Sequence, residues 1–391
     1  MTIPLIYNWR SLLIRKATMF ATAGGIALVV VVMLLVLSLI SSLQLILVKA
    51  GSPDNLLVMR KGATNDAMSF VPRAAVQALR YLPGIARTLA GDPLVSPELL
   101  TQPLLPTQGG GRQEAMVRGV TPLGFVVHPG LHFIAGRAPR SALSEVAAGV
   151  AASHYYRNAV LGGRLQFGGR TWNVVGIFTA EGASFESELW VDVDDLLDDT
   201  NRTAYSVVSL VMEPGTDRRS LIQRIANDPR ISLEAKVESD YYQAQASGAN
   251  TLYIMTFILA LIMSAGAIFG AMNTLFAAVD RRAAEIGILR AIGFSRGAVL
   301  LSFITESLCL ALSGYALGTF VGVGAITLVN LLTQGIPFPL PSFSMAVVPL
   351  SLSPLIFCIV LLITVVIGIV GGLFPARRAA GLRVADAVRN I

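Results

Sequence analysis

Two short stretches contain residue types that could bind a metal ion. His128 and His132 enclose Pro129-Gly130 (HPGLH), which prevents the shared helical turn from which two histidines ligate zinc, so we expect both on a surface loop. The acidic run Asp192–Asp199 (DVDDLLDD) lacks the loop glycine and the terminal glutamate of a calcium-binding EF-hand. Acidic residues at the start of a short helix explain that run better, because they interact favourably with the helix dipole. The sequence therefore predicts no metal site.

A nucleotide-binding loop is a third possibility. The glycines of Gly162–Thr171 (GGRLQFGGRT) imitate a P-loop, but Arg170 stands where the phosphate-binding lysine belongs. Two alternating apolar runs joined by Gly168-Gly169 are typical of a β-hairpin and not of a strand–loop–helix unit. We therefore predict neither catalytic residues nor a cofactor site, and expect that this chain is not an enzyme.

Charged residues are distributed unevenly along the chain. Their distribution predicts where membrane helices lie, and therefore which domain contains the three stretches above. The 391 residues are 54% hydrophobic and only 14% charged. No charged residue occurs at 17–48, at 241–279 or at 307–376. Each gap can hold a membrane helix of about 20 residues, and the last gap can hold two. The predicted fold is a membrane protein with four transmembrane α-helices and a large α+β extracytoplasmic domain between the first and the second.

We divide the chain into nine segments on this basis. They are a cytoplasmic interfacial segment (1–17), the first span with a stalk (18–48), the external α+β domain (49–240), a stalk with the second span (241–279), a charged cytoplasmic helix (280–297), the third span (298–330), a proline-rich external loop (331–349), the fourth span (350–374) and a basic cytoplasmic tail (375–391).

Basic residues lie before the first span, between the second and third spans, and after the fourth. By the positive-inside rule both termini and the 280–297 segment are cytoplasmic, and 49–248 lies outside. The pI near 9.5 therefore reports topology and does not indicate nucleic-acid binding. Glu306 is the only charged residue inside a predicted span, and we expect it at the cytoplasmic boundary. The lack of charges at the membrane midplane argues against a secondary transporter.

The external domain should contain three recognisable elements. Arg164–Phe178 predicts a hairpin, and the alanine-rich Ser144–Tyr156 predicts a helix that opens with Ser-Glu. Thr216–Asp228 predicts an amphipathic helix with Thr216 as its cap. Residues 60–110 are punctuated by proline and glycine and permit no assignment.

Glycines recur every four residues within two of the spans. Such ridges let helix backbones approach closely, so we predict packing faces, although glycine is also simply commoner in membrane helices. The predicted packing residues are Gly266 and Gly270 in the second span and Gly314, Gly318 and Gly322 in the third.

A short, densely charged helix is predicted at Arg281–Ala291, between two apolar runs. Ile286, Leu289 and Ile292 are spaced three apart on its apolar side, and Arg282 and Glu285 occupy the more polar side. Gly293 can end it in a left-handed cap, and Ser295 can cap the third span. One interpretation is an interfacial anchor among lipid headgroups, with Arg281 and Glu285 forming a solvated pair. The other is a docking helix for a cytoplasmic protein, and residue types alone leave both open.

Three segments resemble the MacB/FtsX-like (type VII) ABC-transporter permeases. They are RRAAEIGILRAIGFSRGAVLLSFITESLCLALSGYALG after the second span, GGLFPARRAAGLRVADAVRN at the end of the fourth, and Gly136–Phe178, which is similar to the family's periplasmic core domain. In that family the charged helix is the coupling helix, held in a groove of the ATPase subunit. The resemblance implies that Arg282, Glu285, Ile286, Gly287 and Arg290 face or shape that contact.

The resemblance implies a permease of the bacterial inner membrane that passes the work of ATP hydrolysis to its periplasmic domain, for export or extraction of a lipid, lipoprotein, peptide or drug. Since only 16 residues precede the first span, we expect the ATPase, with its ATP and Mg²⁺, on separate chains. The implied partners are an ATPase dimer, a second permease chain and a periplasmic adaptor or acceptor. The alternative is a regulatory module that activates a cell-wall hydrolase without transport.

Overall fold

The computed structural model describes residues 16–128, 130–247, 249–333, 335–338 and 346–382. These residues form two compact units. One unit comprises the described parts of 1–41, 251–332 and 350–391, and the other comprises those of 42–250 and 333–349. The predicted interfacial segment 1–17 and the basic tail after residue 382 lie almost wholly outside the described residues.

The described residues form eleven α-helices. They are α1 (Lys16–Ala50), α2 (Arg73–Arg80), α3 (Gly124–Val127), α4 (Val150–Tyr155), α5 (Val193–Thr200), α6 (Arg218–Asn227), α7 (Glu238–Ser247), α8 (Ala249–Arg281), α9 (Ala283–Ala291), α10 (Arg296–Thr333) and α11 (Pro354–Gly381), with a 3₁₀ turn at Ser184–Ser187.

Four of these helices are long and apolar enough to cross a membrane. The qualifying segments are Phe20–Ala50, Leu252–Arg281, Arg296–Thr333 and Pro354–Gly381. Their number and order, with a large α/β domain between the first and the second, confirm the predicted fold class. The last helix continues through Pro375 to Gly381, past the boundary predicted at 374.

The other unit is built on β-strands. They are β1 (Asn55–Arg60), β2 (Val71–Pro72), β3 (Val95–Thr101), β4 (Leu104–Pro106), β5 (Arg112–Glu114), β6 (Val117–Val120), β7 (His132–Gly136), β8 (Glu145–Gly149), β9 (Arg164–Phe167), β10 (Arg170–Thr179), β11 (Leu189–Asp192), β12 (Ala204–Tyr205), β13 (Val207–Val211), β14 (Leu233–Val237), β15 (Ile336–Phe338) and β16 (Ala346–Val348).

Ten strands form one mixed sheet in the order β14-β1-β13-β3-β6-β11-β8-β10-β7, with β9 paired to β10. Two hydrophobic cores lie along it. One is formed by side chains of β1, β3, β13 and β14 with helices α2 and α6. The other is formed mainly by β6, β8, β10 and β11 with helices α4 and α5. The antiparallel pairing of β3 with β6 joins the two halves of the sheet.

Local predictions in this domain had mixed outcomes. The hairpin is confirmed, since β9 and β10 pair across Gly168, whose φ of 60° needs glycine. The helix predicted over Ser144–Tyr156 is wrong for its first half, which forms strand β8 between β10 and β11. Burial of Ala147 and Ala148 inside the sheet outweighs alanine's helix propensity.

Two smaller corrections concern chain ends and loops. Helix α6 begins one residue later than predicted, because the side chain of Asp217, and not that of Thr216, accepts the capping hydrogen bond from the Arg219 amide. Within the predicted external loop 331–349, strands β15 and β16 pair antiparallel. Residues 339–345, with two of the loop's prolines, lie outside the described part.

Candidate coupling site

The predicted charged helix is α9. It begins at Ala283 and not at Arg281, because Arg281 ends α8 and Arg282 interrupts the helix with φ −106°. Its C-terminal end is defined by local sequence. After its last turn the amide of Phe294 donates to the carbonyl of Leu289 and that of Gly293 to the carbonyl of Arg290, with Gly293 at φ 107°. This pair of bonds is the glycine-dependent Schellman cap. The hydroxyl of Ser295 then accepts from the amide of Ala298 and caps α10. The predicted roles of Gly293 and Ser295 are therefore confirmed.

Arg282 connects α9 to α10 and is buried. Its Nη1 donates to Oε2 of Glu306 at 3.0 Å, and its Nε donates to Oε2 of Glu285 at 3.2 Å. The side chains of Arg282 and Glu306 are only 7% and 5% exposed, and the guanidinium lies 5.5 Å from the ring centre of Phe303. Arg282 is therefore held inside the helix bundle, where it supports α9 from within.

Ile286 and Gly287 lie on the same inner face. Ile286 is 2% exposed and belongs to an apolar cluster with Val299, Phe303 and Ala376, from helices α10 and α11. Gly287 is also buried. Ile286 therefore holds α9 against the helix bundle.

The outward face of α9 carries different residues. Glu285, which has a 58% exposed side chain, is followed by Ile288 at 48% and Ile292 at 68% exposure. Positions 285, 288 and 292 share one helix face. Arg281, the last residue of α8, is also exposed, just before α9 begins. The outer stripe is therefore Arg281, Glu285, Ile288 and Ile292: two exposed isoleucines beside two opposite charges.

Of the five residues implied by the resemblance, the structure exposes Glu285, half-buries Arg290 and buries the other three. Ile288 was missed, although its spacing from Glu285 and Ile292 was available in the sequence. The predicted faces of α9 are only partly right: Ile286 is buried and Glu285 is exposed as expected, but Ile292 is exposed and Arg282 is buried.

The predicted packing glycines fall into two groups, those that contact another helix closely and those that do not. A Cβ on Gly314 or Gly318 would lie within 3 Å of α1 atoms, at 2.8 Å from Ile26 and 2.6 Å from the Ala27 carbonyl, so α10 packs closely on α1 there. Gly322 meets Leu34 at 3.0 Å. A Cβ on Gly266 or Gly270 would meet no atom within 4 Å. These two glycines line a groove of about 310 Å³ between α1 and α8.

The largest departure from prediction is His128. It was expected on a surface loop, but it is 2% exposed and its Nε2 lies 2.8 Å from Oε1 of Glu98. Of these two histidines, His132 is exposed, at 68%, but it begins strand β7 and does not lie on a loop. Burial would lower the pKa of His128, yet the carboxylates of Glu98 and Glu238 outweigh it and raise that pKa. Among the described residues, no cluster of three ligand-type side chains can hold a metal ion.

His128 belongs to a buried ionic network that the sequence did not reveal. Arg118 donates to both oxygens of Glu188 at 2.7 and 2.9 Å and to Oε2 of Glu98 at 2.7 Å. The pKa of Glu98 falls to about 2, because His128 and Arg118 together outweigh the effect of burial. Asp66, buried nearby, has its pKa raised to about 6 by burial, against the charge of Arg118.

The fold thus defines a class: a four-span membrane protein with an α/β domain inserted after the first span and a short helix between the second and third. Residues 17–228 match the model of the MacB-like periplasmic core domain, and residues 257–384 match that of the FtsX-like permease C-terminal domain. The chain belongs to the MacB/FtsX-like family of ABC-transporter permeases.

Two curated relatives and one solved structure match parts of the chain. The chain is 27% identical over 209 residues to the uncharacterized ABC transporter permease YknZ of Bacillus subtilis, covering 52% of this chain and 49% of YknZ. It is 30% identical over 168 residues to the macrolide export ATP-binding/permease protein MacB of Chlorobaculum tepidum, covering 42% and 24%. The periplasmic region of MacB from Actinobacillus actinomycetemcomitans has a TM-score of 0.39 at 13% identity, covering 50% of this chain and 94% of that one. The chain spans about half or less of the two curated relatives.

Proposed function

We propose that this chain is the permease subunit of an ABC transporter in the inner membrane, with α9 as its coupling helix. An ATPase dimer on separate chains binds ATP and Mg²⁺ and moves α9. The movement passes along α1 and α8 to the external α/β domain, which acts on a lipid, lipoprotein, peptide or drug. Both termini and α9 are cytoplasmic in this proposal, and a second permease chain completes the complex.

The observation that carries the proposal is the two-sided construction of α9. Its inner face is fixed to α10 and α11 by the Arg282–Glu306 pair and by Ile286, so a push on α9 is passed to two spans. Its outer stripe combines exposed isoleucines with Arg281 and Glu285. Exposed apolar residues rimmed by charges are typical of a protein-binding surface.

A purely lipid-binding helix would be built differently. An interfacial anchor places basic residues on its polar face and apolar residues towards the bilayer. An exposed Glu285 within the stripe would be repelled by anionic headgroups. A groove in a partner protein can instead offer a cation to this carboxylate, which supports docking over anchoring.

The test is Glu285→Lys. It places an ammonium group where the Glu285 carboxylate is proposed to contact a cation of the ATPase. At a desolvated contact such a reversal costs several kcal/mol, so we expect loss of ATPase co-purification and of permease-stimulated ATP hydrolysis. Glu181→Lys is the matched control, because Glu181 is also an exposed glutamate, at 74% against 58% for Glu285, and lies in the external domain. It should leave both readouts at the wild-type level. Unchanged ATPase recovery for Glu285→Lys, at equal membrane expression, would refute docking through this stripe.

A further inference from the structure

The chain enters and leaves the external domain at one place. Gly51 and Ser52 follow α1, and Glu238 and Ser239 begin α7, which precedes the second span. The amide of Ser239 donates to the carbonyl of Ser52 at 3.3 Å. A Cβ atom on Gly51 would lie 2.6 Å from Cα of Ser239, so the two backbones are in direct contact. We call these four residues the junction.

One carboxylate fastens the junction. Oε2 of Glu238 accepts a hydrogen bond from the amide of Ser52 at 3.1 Å and another from Nδ2 of Asn55 at 2.9 Å. Its Oε1 lies 3.4 Å from Nδ1 of His128. Glu238 is 1% exposed. A buried carboxylate stabilises a fold poorly in comparison with apolar residues that fill the same space. We therefore infer that Glu238 serves to join Ser52, Asn55 and His128.

The contacts continue from Glu238 into the middle of the domain. His128 touches Glu98 on β3, Glu98 binds Arg118 on β6, and Arg118 binds Glu188 beside β11. Strands β3 and β6 are the pair that joins the two halves of the sheet. An unbroken series of charged contacts therefore runs from the junction to the line between the two hydrophobic cores.

We propose that Glu238 is the positioning residue through which the external domain receives movement from both membrane connections. It makes the incoming and outgoing segments move as one piece, and it passes that movement through His128 to the centre of the sheet. The source of the movement rests on the proposed function. The contacts of Glu238 with Ser52, Asn55 and His128, which we call the tie, are a property of this chain alone.

The first experiment is hydrogen exchange on the full chain in phosphatidylethanolamine/phosphatidylglycerol nanodiscs. Glu238→Gln removes the charge, and we expect the Ser52 and Ser239 amides to exchange about 10- to 100-fold faster, the factor for loss of one charge-assisted hydrogen bond. Gly51→Ala leaves the charge in place but separates the two backbones, so it should accelerate the same amides.

The matched control is Glu145→Gln. Glu145 also accepts a backbone hydrogen bond, from the amide of Arg140, but it begins β8, which lies five strands away from β1 in the sheet. The variant should accelerate exchange at the Arg140 amide and leave Ser52 and Ser239 unchanged. Wild-type exchange at both junction amides in Glu238→Gln would overturn the tie.

The second experiment uses the complex with its ATPase. We expect vanadate-trapped ATP to change exchange in β6 and β11 of the wild type, and Glu238→Gln to abolish that response while ATPase recovery stays unchanged. A disulfide between Ser52→Cys and Ser239→Cys, in a Cys309→Ala/Cys358→Ala background, should restore the response in Glu238→Gln until it is reduced. Residues joined by a backbone hydrogen bond lie within disulfide reach.

The outcomes separate the two claims. A full nucleotide response in Glu238→Gln, or no rescue by the disulfide, would overturn the positioning role. A wild-type complex with no nucleotide response would contradict the proposed function, and the tie would still be judged by the exchange of Ser52 and Ser239.

Discussion

The pair of Arg282 and Glu306 gives the sharpest test of how α9 is attached to the bundle. Glu306→Gln leaves the Arg282 guanidinium without its buried anion, in a site where that side chain is only 7% exposed. Leaving one member of a buried pair uncompensated costs about 3 to 5 kcal/mol. The second anion, Glu285, is 58% exposed, so its contribution is about 0 to 1 kcal/mol. It cannot offset the loss.

The double variant Arg282→Met/Glu306→Gln removes both charges and should recover most of that loss, because Met retains apolar packing on Phe303. We therefore expect the double variant to be more stable than Glu306→Gln alone, with a coupling free energy of at least about 2 kcal/mol. The assay is a double-mutant cycle by SDS-induced unfolding in mixed micelles, with permease-stimulated ATP hydrolysis measured in parallel. Additive single effects would refute the conclusion that this pair attaches α9 to α10.

The remaining predictions concern topology, packing and pH. Cysteine placed at Gly110 should react with a membrane-impermeant maleimide in intact cells and cysteine at Gly297 should not; labelling at Gly297 would reverse the proposed orientation. Gly318→Val should destabilise the bundle by about 1 to 3 kcal/mol through overpacking against Ala27 and Val30, whereas Gly266→Val should be neutral in the same SDS unfolding assay; equal effects would refute the assigned packing face. Asp66 has a pKa raised from 3.8 to about 6, so its stabilising protonated form is fully present below pH 3.8 and is lost as pH rises through 6. At 1.36 kcal/mol for each pH unit this costs the folded state about 3 kcal/mol at pH 7.5, so Asp66→Asn should raise the unfolding temperature at pH 7.5 and lose that advantage near pH 4; a gain independent of pH would contradict the assignment.

The membrane architecture was predictable because its signals are local. Uncharged runs of sufficient length define spans wherever they occur, and the ends of α9 and α10 depend on Gly293 and Ser295, whose backbone bonds reach only a few residues. The same holds for the hairpin at Gly168. In each case the residues that determine the structure lie within one turn of each other.

The buried network was not predictable for the opposite reason. Glu98, Arg118, His128, Glu188 and Glu238 come from five separate parts of the chain, and each alone has the composition of a surface residue. Pro129 and Gly130 beside His128 indicated a loop, and nothing nearby indicated that Glu98 would bury that loop's histidine. The pairing of β6 with both β3 and β11 brings Glu98, Arg118 and Glu188 together.

Helix α9 shows where pattern reasoning reaches its limit. Its helical state and its C-terminal end followed from the sequence, but its start and its faces did so only in part. The helix begins two residues later than predicted, and the spacing placed Ile292 with Ile286 on the apolar side. The structure resolves this through neighbours on α10 and α11: Phe303 and Ala376 cover Ile286 and leave Ile288 and Ile292 exposed. The outer stripe therefore replaces Ile286 with Ile288 as a candidate contact.

The central claim, that α9 docks on an ATPase, is tested most directly by site-specific photocrosslinking from its outer stripe. A benzophenone amino acid at Ile288 or Ile292 should crosslink in cells to a polypeptide that mass spectrometry identifies as containing a Gly-x4-Gly-Lys-Ser/Thr nucleotide-binding loop. The same probe at Leu331, 78% exposed at the other end of α10, should give no such product. Crosslinks from Ile288 and Ile292 to lipid alone, with the permease folded and inserted, would contradict the account.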